Sequence, residues 1–127
     1  MFLAGSSELT RGWMDKLESL LTQLFPEIQR KQNETENQKH YWAWFESPRL
    51  PYHIAQLHPS ANQIRILLRL EPSKFPLLLD ETPSGRGYQD TYRSMLVVDS
   101  EDRLSHAVIL ISLSYVQDLE LRISISK

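Results

Sequence analysis

The sequence predicts an α+β fold in which two helices pack on one face of a four- to five-stranded antiparallel sheet. Apolar residues recur every three or four positions near both ends of the chain, which is typical of amphipathic helices. Between them, short segments alternate apolar and polar residues, which is typical of strands. The first strand connections are too short for parallel crossovers, so we expect antiparallel neighbours.

Composition indicates a single soluble domain that spans residues 1–127. The chain is 41% hydrophobic and 24% charged, with a net charge of −2, which argues against a dominant non-specific nucleic-acid or membrane role. It has no cysteine, which excludes disulfides and thiolate metal sites. The apolar start is too short for a signal peptide, and no segment approaches the ~18 apolar residues of a spanning helix. We therefore expect a cytoplasmic protein.

The first helix begins at Ser7, a good N-cap, and Pro26 ends it. Residues 26–39 contain few apolar side chains and both signs of charge, so we predict a polar connecting segment. The apolar stripe of the helix consists of Leu9, Trp13, Leu17, Leu20, Leu21 and Leu24.

Three strands are predicted next, at 41–47, 52–58 and 63–71. In the third strand, alternation divides the side chains between two faces. One face carries Ile64, Ile66, Leu68 and Leu70, and the other carries Arg65, Leu67 and Arg69.

The remaining chain predicts a loop, a strand, a helix and a final strand. Residues 72–91 contain three prolines and two glycines and form a long loop, of a length that is often functional. A fourth strand follows at 92–100. The second helix has a core stripe of Leu104, Val108, Ile111, Tyr115 and Leu119, and the tail 119–127 alternates as a strand does.

The aromatic strand, the IRILLRL strand, the loop residues 85–88 and the closing unit 97–115 together resemble a bacterial domain type. These small domains are labelled "predicted transport proteins" and occur alone or fused to restriction-type and other defence modules. The resemblance covers about two thirds of the chain. It implies an α+β fold and an accessory role, and it supplies no catalytic residue.

The predicted binding surface is the sheet face opposite the helices. Trp42 and Trp44 share one side of their strand, and we expect that side to be the open one. With Arg65, Arg69 and Arg93, they would form a Trp/Arg face suited to protein hot spots or to unpaired bases and phosphates. The alternative is an inert surface on which arginine stems cover the tryptophan rings.

The long loop adds Arg86 and Tyr88 as candidate binding residues. Asp80 and Asp90 flank it, so an enzyme with a site under the loop is a further hypothesis. No spacing there is diagnostic, and we predict no catalytic residue and no cofactor. His53 and His58 are an odd number apart and should point to opposite faces of a strand, so we predict no metal site.

The last helix and the tail provide a candidate homodimer interface. Apolar side chains lie beside the core stripe, which indicates burial on more than one side. This candidate interface consists of Ile109, Leu113, Val116, Ile123 and Ile125.

These observations favour a non-enzymatic binding or adaptor domain. It would engage a protein partner, and a second copy of itself, through the Trp/Arg face or the last helix. The alternative is a single-stranded nucleic-acid-binding accessory of a defence or mobile-element system, which the acidic net charge disfavours.

Overall fold

The predicted α+β class is confirmed by a computed structural model, which describes residues 7–32, 42–81 and 92–126, with the backbone alone for residues 81 and 122–126. Every pair of neighbouring strands is antiparallel, in the order β1-β2-β3-β4-β6-β5. The elements are α1 (Glu8–Leu24), β1 (Gln29–Gln32), β2 (Ala43–Glu46), β3 (Ala55–Pro59), β4 (Ile64–Leu68), β5 (Asp80–Glu81), β6 (Ser94–Val98) and α2 (Arg103–Ser126), with a 3-10 turn at Pro72–Lys74.

The N-terminus of α1 is fixed by a reciprocal pair of hydrogen bonds. The Thr10 backbone N–H donates to Ser7 Oγ, and the Ser7 backbone N–H donates to Thr10 Oγ1. The predicted N-cap is therefore confirmed. Leu9 and Leu24, which periodicity places in the apolar stripe, are exposed because they lie at the two ends of the helix.

Both helices cover the same face of the sheet. Buried side chains from α1, such as Leu17, and from α2, such as Ile111, share one core with the inner face of the sheet. The inner-face residues of the strands are Ala43, Phe45, Ala55, Leu57, Ile64, Ile66, Leu68, Leu96 and Val98.

The helix α2 is much longer than the strands it covers. Its 24 residues extend about 36 Å, whereas a five-residue strand extends about 17 Å. Tyr115 anchors its second half: the phenol donates to Glu27 Oε2 at 2.7 Å and lies 2.7 Å from Ser47 Oγ. These bonds tie α2 to the segments before β1 and after β2.

Two segments predicted as connections contain strands. The polar segment 26–39 includes β1, which pairs with β2, and the loop 72–91 includes the two-residue strand β5. Both are edge strands, and β1 is half solvated, so neither needs the apolar pattern that marks a buried strand.

The predicted C-terminal strand is wrong, because the backbone continues as a helix to Ser126. No glycine or proline interrupts residues 103–126, and extending an existing helix costs less than starting a strand that needs a turn. The alternation of Leu119, Leu121, Ile123 and Ile125 therefore describes residues of one helix.

Candidate functional site

The sheet face opposite both helices, called the open face here, carries the candidate site. The strand register aligns one row of residues across five strands: Lys31, Trp44, Gln56, Leu67 and Met95. A second row joins His58, Arg65 and Val97, and Trp42 lies against His58. The expectation that both tryptophans take the open face is confirmed, because Ala43 and Phe45 between and beside them are buried in the core.

Four rings on this face stand in contact and form what we call the aromatic stack. His53 stacks on Trp44 with 4.7 Å between ring centroids and 12° between planes. Trp44 lies 4.9 Å from Trp42 at a tilt of 41°, and Trp42 stacks on His58 at 6.2 Å and 15°. Each indole therefore has two ring neighbours.

Hydrogen bonds on the same face hold the rings in place. The Trp44 indole N–H donates to Glu46 Oε1 at 2.7 Å. His58 Nε2 lies 2.9 Å from Gln56 Oε1, and since a carbonyl oxygen accepts, this nitrogen carries the hydrogen. Both tryptophans are half-buried, so the stack is ordered yet partly accessible.

Burial lowers the pKa of His53 below that of a free histidine. The negative charge of Glu46 opposes this shift, and the positive charge of Arg69 adds to it. The fold therefore favours the neutral imidazole on Trp44.

Two exposed cations lie beside the stack. Lys31 is the direct cross-strand partner of Trp44, and Arg65 is the partner of His58. Six other lysines and arginines form ion pairs, whereas among the described side chains Lys31 and Arg65 form none. Glu46, an acidic residue of β2, accepts a hydrogen bond from the Trp44 indole.

Arg69 does not line the open face as alternation predicts. Its guanidinium turns toward α2, 3.4 Å from Asp118 Oδ2, and lies over the rings of Tyr52 at 4.1 Å and Tyr92 at 5.1 Å. The strand β4 ends at Leu68, so the alternation rule no longer fixes the next side chain. Arg69 thus joins the sheet to the second half of α2.

The other predicted binding residues are dispersed. Arg93 is exposed and its guanidinium lies 3.0 Å from Glu71 Oε2. Arg86 and Tyr88 lie outside the described residues.

Of the five residues in the predicted dimer interface, the structure describes the side chains of three. Ile109, Leu113 and Val116 are exposed on α2. Ile123 and Ile125 belong to the same helix instead of a strand, and their side chains lie outside the described part.

The described residues contain no group of three His, Asp or Glu side chains able to hold a metal ion. Asp80, proposed to flank a loop site, is exposed at the sheet edge, and Asp90 lies outside the described residues. In the same described ranges, no helix has the length and apolar character needed to cross a membrane.

Sequence reasoning missed that both His53 and His58 join the stack. Ile54 and Ala55 are consecutive and both fully buried, so the two-residue alternation is broken just before β3. The odd spacing of the histidines therefore does not separate them. The sequence offers one signal for this: His53 lies two residues after Pro51, at the very start of the predicted strand 52–58, where alternation need not hold.

Comparison with known proteins gives no match to a family model, a curated protein or a solved structure. The resemblance to the domains labelled "predicted transport proteins" stays a prediction. The function is therefore inferred from the geometry of the open face.

Proposed function

We propose that this protein is a binding or adaptor domain, not an enzyme, and that it engages a protein partner through the open face. The observation that supports this most is the position of Trp42 and Trp44. They stand opposite both helices and outside the shared hydrophobic core. Tryptophan is among the residues most enriched at the energetic centres of protein interfaces.

The stack is ordered before any partner arrives. Its rings contact one another, and Trp44 is fixed by Glu46, so little side-chain freedom remains to be lost on binding. Next to it, Met95 and Val97 of β6 are half-buried and extend the apolar surface, whereas Leu67 of β4, in the same row as Met95, is buried. A partner segment with apolar side chains would cover this strip.

The charge of the surface favours carboxylates at the margin of that partner. Lys31 and Arg65 are exposed beside the stack, and no ion pair in the described part of the chain neutralises them. Rim charges of this kind accelerate association and fix orientation more than they add affinity.

Single-stranded nucleic acid is the second candidate, because the same two cations could contact phosphates beside aromatic rings. The arrangement of the rings argues against it. Each indole already has two ring neighbours, which leaves less of its surface for a stacking base. The net charge of −2 points the same way.

Selection of a random peptide phage library on the full chain tests the proposal. We expect enriched peptides whose affinity falls at least tenfold in W42A/W44A, since a hot-spot residue contributes about 2 kcal/mol or more. The matched control is L24A, because Leu24 is exposed on α1, away from the open face. Peptides that bind the double variant as well as the native chain would contradict the proposal, as would the absence of enrichment.

A titration with single-stranded oligonucleotides, monitored by tryptophan fluorescence, distinguishes nucleic-acid binding from protein binding. Our proposal predicts no quenching at low salt. Saturable quenching that weakens with added salt and disappears in K31E/R65E would favour the nucleic-acid function instead.

A further inference from the structure

The side of α2 that points away from the core is apolar and uncharged at its centre. Ile109, Leu113 and Val116 are 56%, 44% and 39% exposed, and their spacing of four and three residues places them on one stripe. No Asp, Glu, Lys or Arg occurs from residue 104 to residue 117. A solvated helix face normally carries charged side chains.

The exposed apolar residues of α1 do not form such a stripe. Leu9 and Leu24 lie at opposite ends of α1, and single exposed leucines are normal on soluble proteins. The α2 stripe instead has its polar and charged neighbours at its two ends, where His106 and Glu120 are exposed.

We propose that a second copy of this chain covers the stripe, with the two α2 helices antiparallel about a twofold axis at Leu113. A twofold interface is self-complementary, so each residue meets the one equally far on the other side of the axis. Leu113 then meets Leu113 of the second copy, and Ile109 and Val116 pack beside it.

The charge of Glu120 selects the antiparallel direction, because a parallel pair would bring the two Glu120 carboxylates together. His106 and Glu120 lie seven residues before and after Leu113, so the antiparallel pair places His106 of one copy at Glu120 of the other. A parallel pair would place each of these residues against itself. The two contacts between His106 and Glu120 flank an uncharged centre. An uncharged centre suits a second copy of the same apolar stripe better than a strongly charged partner.

The absence of cysteine makes the geometry directly testable. A single L113C substitution puts two thiols at the twofold axis, close enough for a disulfide. In I109C the two thiols would be eight residues apart along the antiparallel pair, about 12 Å, which is too far. We expect L113C to form a covalent dimer on mild oxidation, and I109C and the α1 control L24C to remain uncrosslinked.

Light scattering on cysteine-free variants gives an independent readout. We expect the native chain and L24E to be dimers and L113E to be a monomer with unchanged circular dichroism, since Leu113 is already 44% exposed in one copy. H106E should weaken the dimer about tenfold by placing two carboxylates together, and H106E/E120K should restore it.

Three results would overturn the proposal. A native chain that is monomeric at the highest soluble concentration excludes the dimer. A dimer that persists in L113E uses another surface. Crosslinking of I109C as readily as L113C means that the helices are parallel.

Discussion

At the residue scale, the contact between His53 and Trp44 makes the open face sensitive to pH. Burial lowers the pKa of His53, so the unfolded chain binds this proton more readily than the folded one. The contribution of the neutral ring to stability is full above the pKa of an unperturbed histidine, about 6.5. It is lost as the pH falls from there through the folded-state pKa.

We predict an NMR titration midpoint for His53 below about 6.5. As the pH falls through this range, the free energy of unfolding of the native chain should decrease relative to that of H53Q, whose side chain cannot titrate. A midpoint above that of a free histidine would show that Glu46 outweighs burial, and a constant difference between the two proteins would show that the two effects cancel.

Residue-level sequence rules worked inside the strands and failed at their ends. Alternation places Trp44 opposite Phe45, and the structure agrees because both lie within β2. The same rule placed Arg69 on the open face and separated His53 from His58. Both errors fall just outside β4 and β3, where the backbone no longer alternates.

At the element scale, the second half of α2 depends on polar contacts with loops. The Tyr115 hydroxyl donates to Glu27, so it accepts from Ser47, whose oxygen accepts the Arg49 backbone N–H. This chain of bonds is buried at Tyr115 and Ser47. The bond from Tyr115 is also the largest cause of the lowered pKa of Glu27.

We predict that Y115F lowers the free energy of unfolding by about 1–3 kcal/mol, because the buried Ser47 hydroxyl loses its partner. Denaturant unfolding measures this. The control Y52F should change stability by less than about 0.5 kcal/mol, since Tyr52 is a surface residue. Equal effects of the two substitutions would argue against the bond chain.

The ion pair of Asp118 with Arg69 predicts the opposite pH trend from His53. Burial raises the pKa of Asp118 even though the charge of Arg69 opposes the shift. A carboxyl with a raised folded-state pKa contributes stability that is full below its unfolded pKa, about 3.9, and lost as the pH rises through the folded value.

Comparison with D118N isolates this carboxyl. We predict that the unfolding free energy of the native chain minus that of D118N falls as the pH rises from about 3 toward neutrality. A difference that grows with pH would mean that the pair with Arg69 dominates.

The sequence predicted the helices and strands that have a clear pattern of apolar residues, and it did not predict the strands that lack one. α1, β2, β3, β4 and β6 all bury apolar residues on one side. The edge strand β1 consists of polar residues and is held by pairing with β2, a contact that its own sequence does not encode. The end of α2 shows the opposite error. Its apolar residues alternate with polar ones, which predicts a strand, but the backbone continues as a helix.

At the scale of the whole molecule, the two proposed surfaces lie on opposite sides. The open face is on the sheet side, and the α2 stripe points away from the core on the helix side. A dimer through α2 would therefore present two open faces outward. Two linked sites increase avidity for a partner that is itself multivalent.

This arrangement predicts a stoichiometry of two peptides per dimer. Isothermal titration of a selected peptide should give one site per chain, and L113E should keep the same affinity per site as a monomer. Loss of peptide binding in L113E would show that the partner binds α2, not the sheet.

If Trp42 and Trp44 form the partner-binding surface, as we propose, their indole N–H signals should respond when a partner binds. The chain has three tryptophans, and Trp13 in the α1 core, only 8% exposed, is an internal reference. In a ¹⁵N–¹H spectrum recorded with a bound peptide, we predict large shifts for Trp42 and Trp44 and none for Trp13. Shifts confined to Trp13 and the helices, with Trp42 and Trp44 unchanged, would show that the partner does not bind the open face.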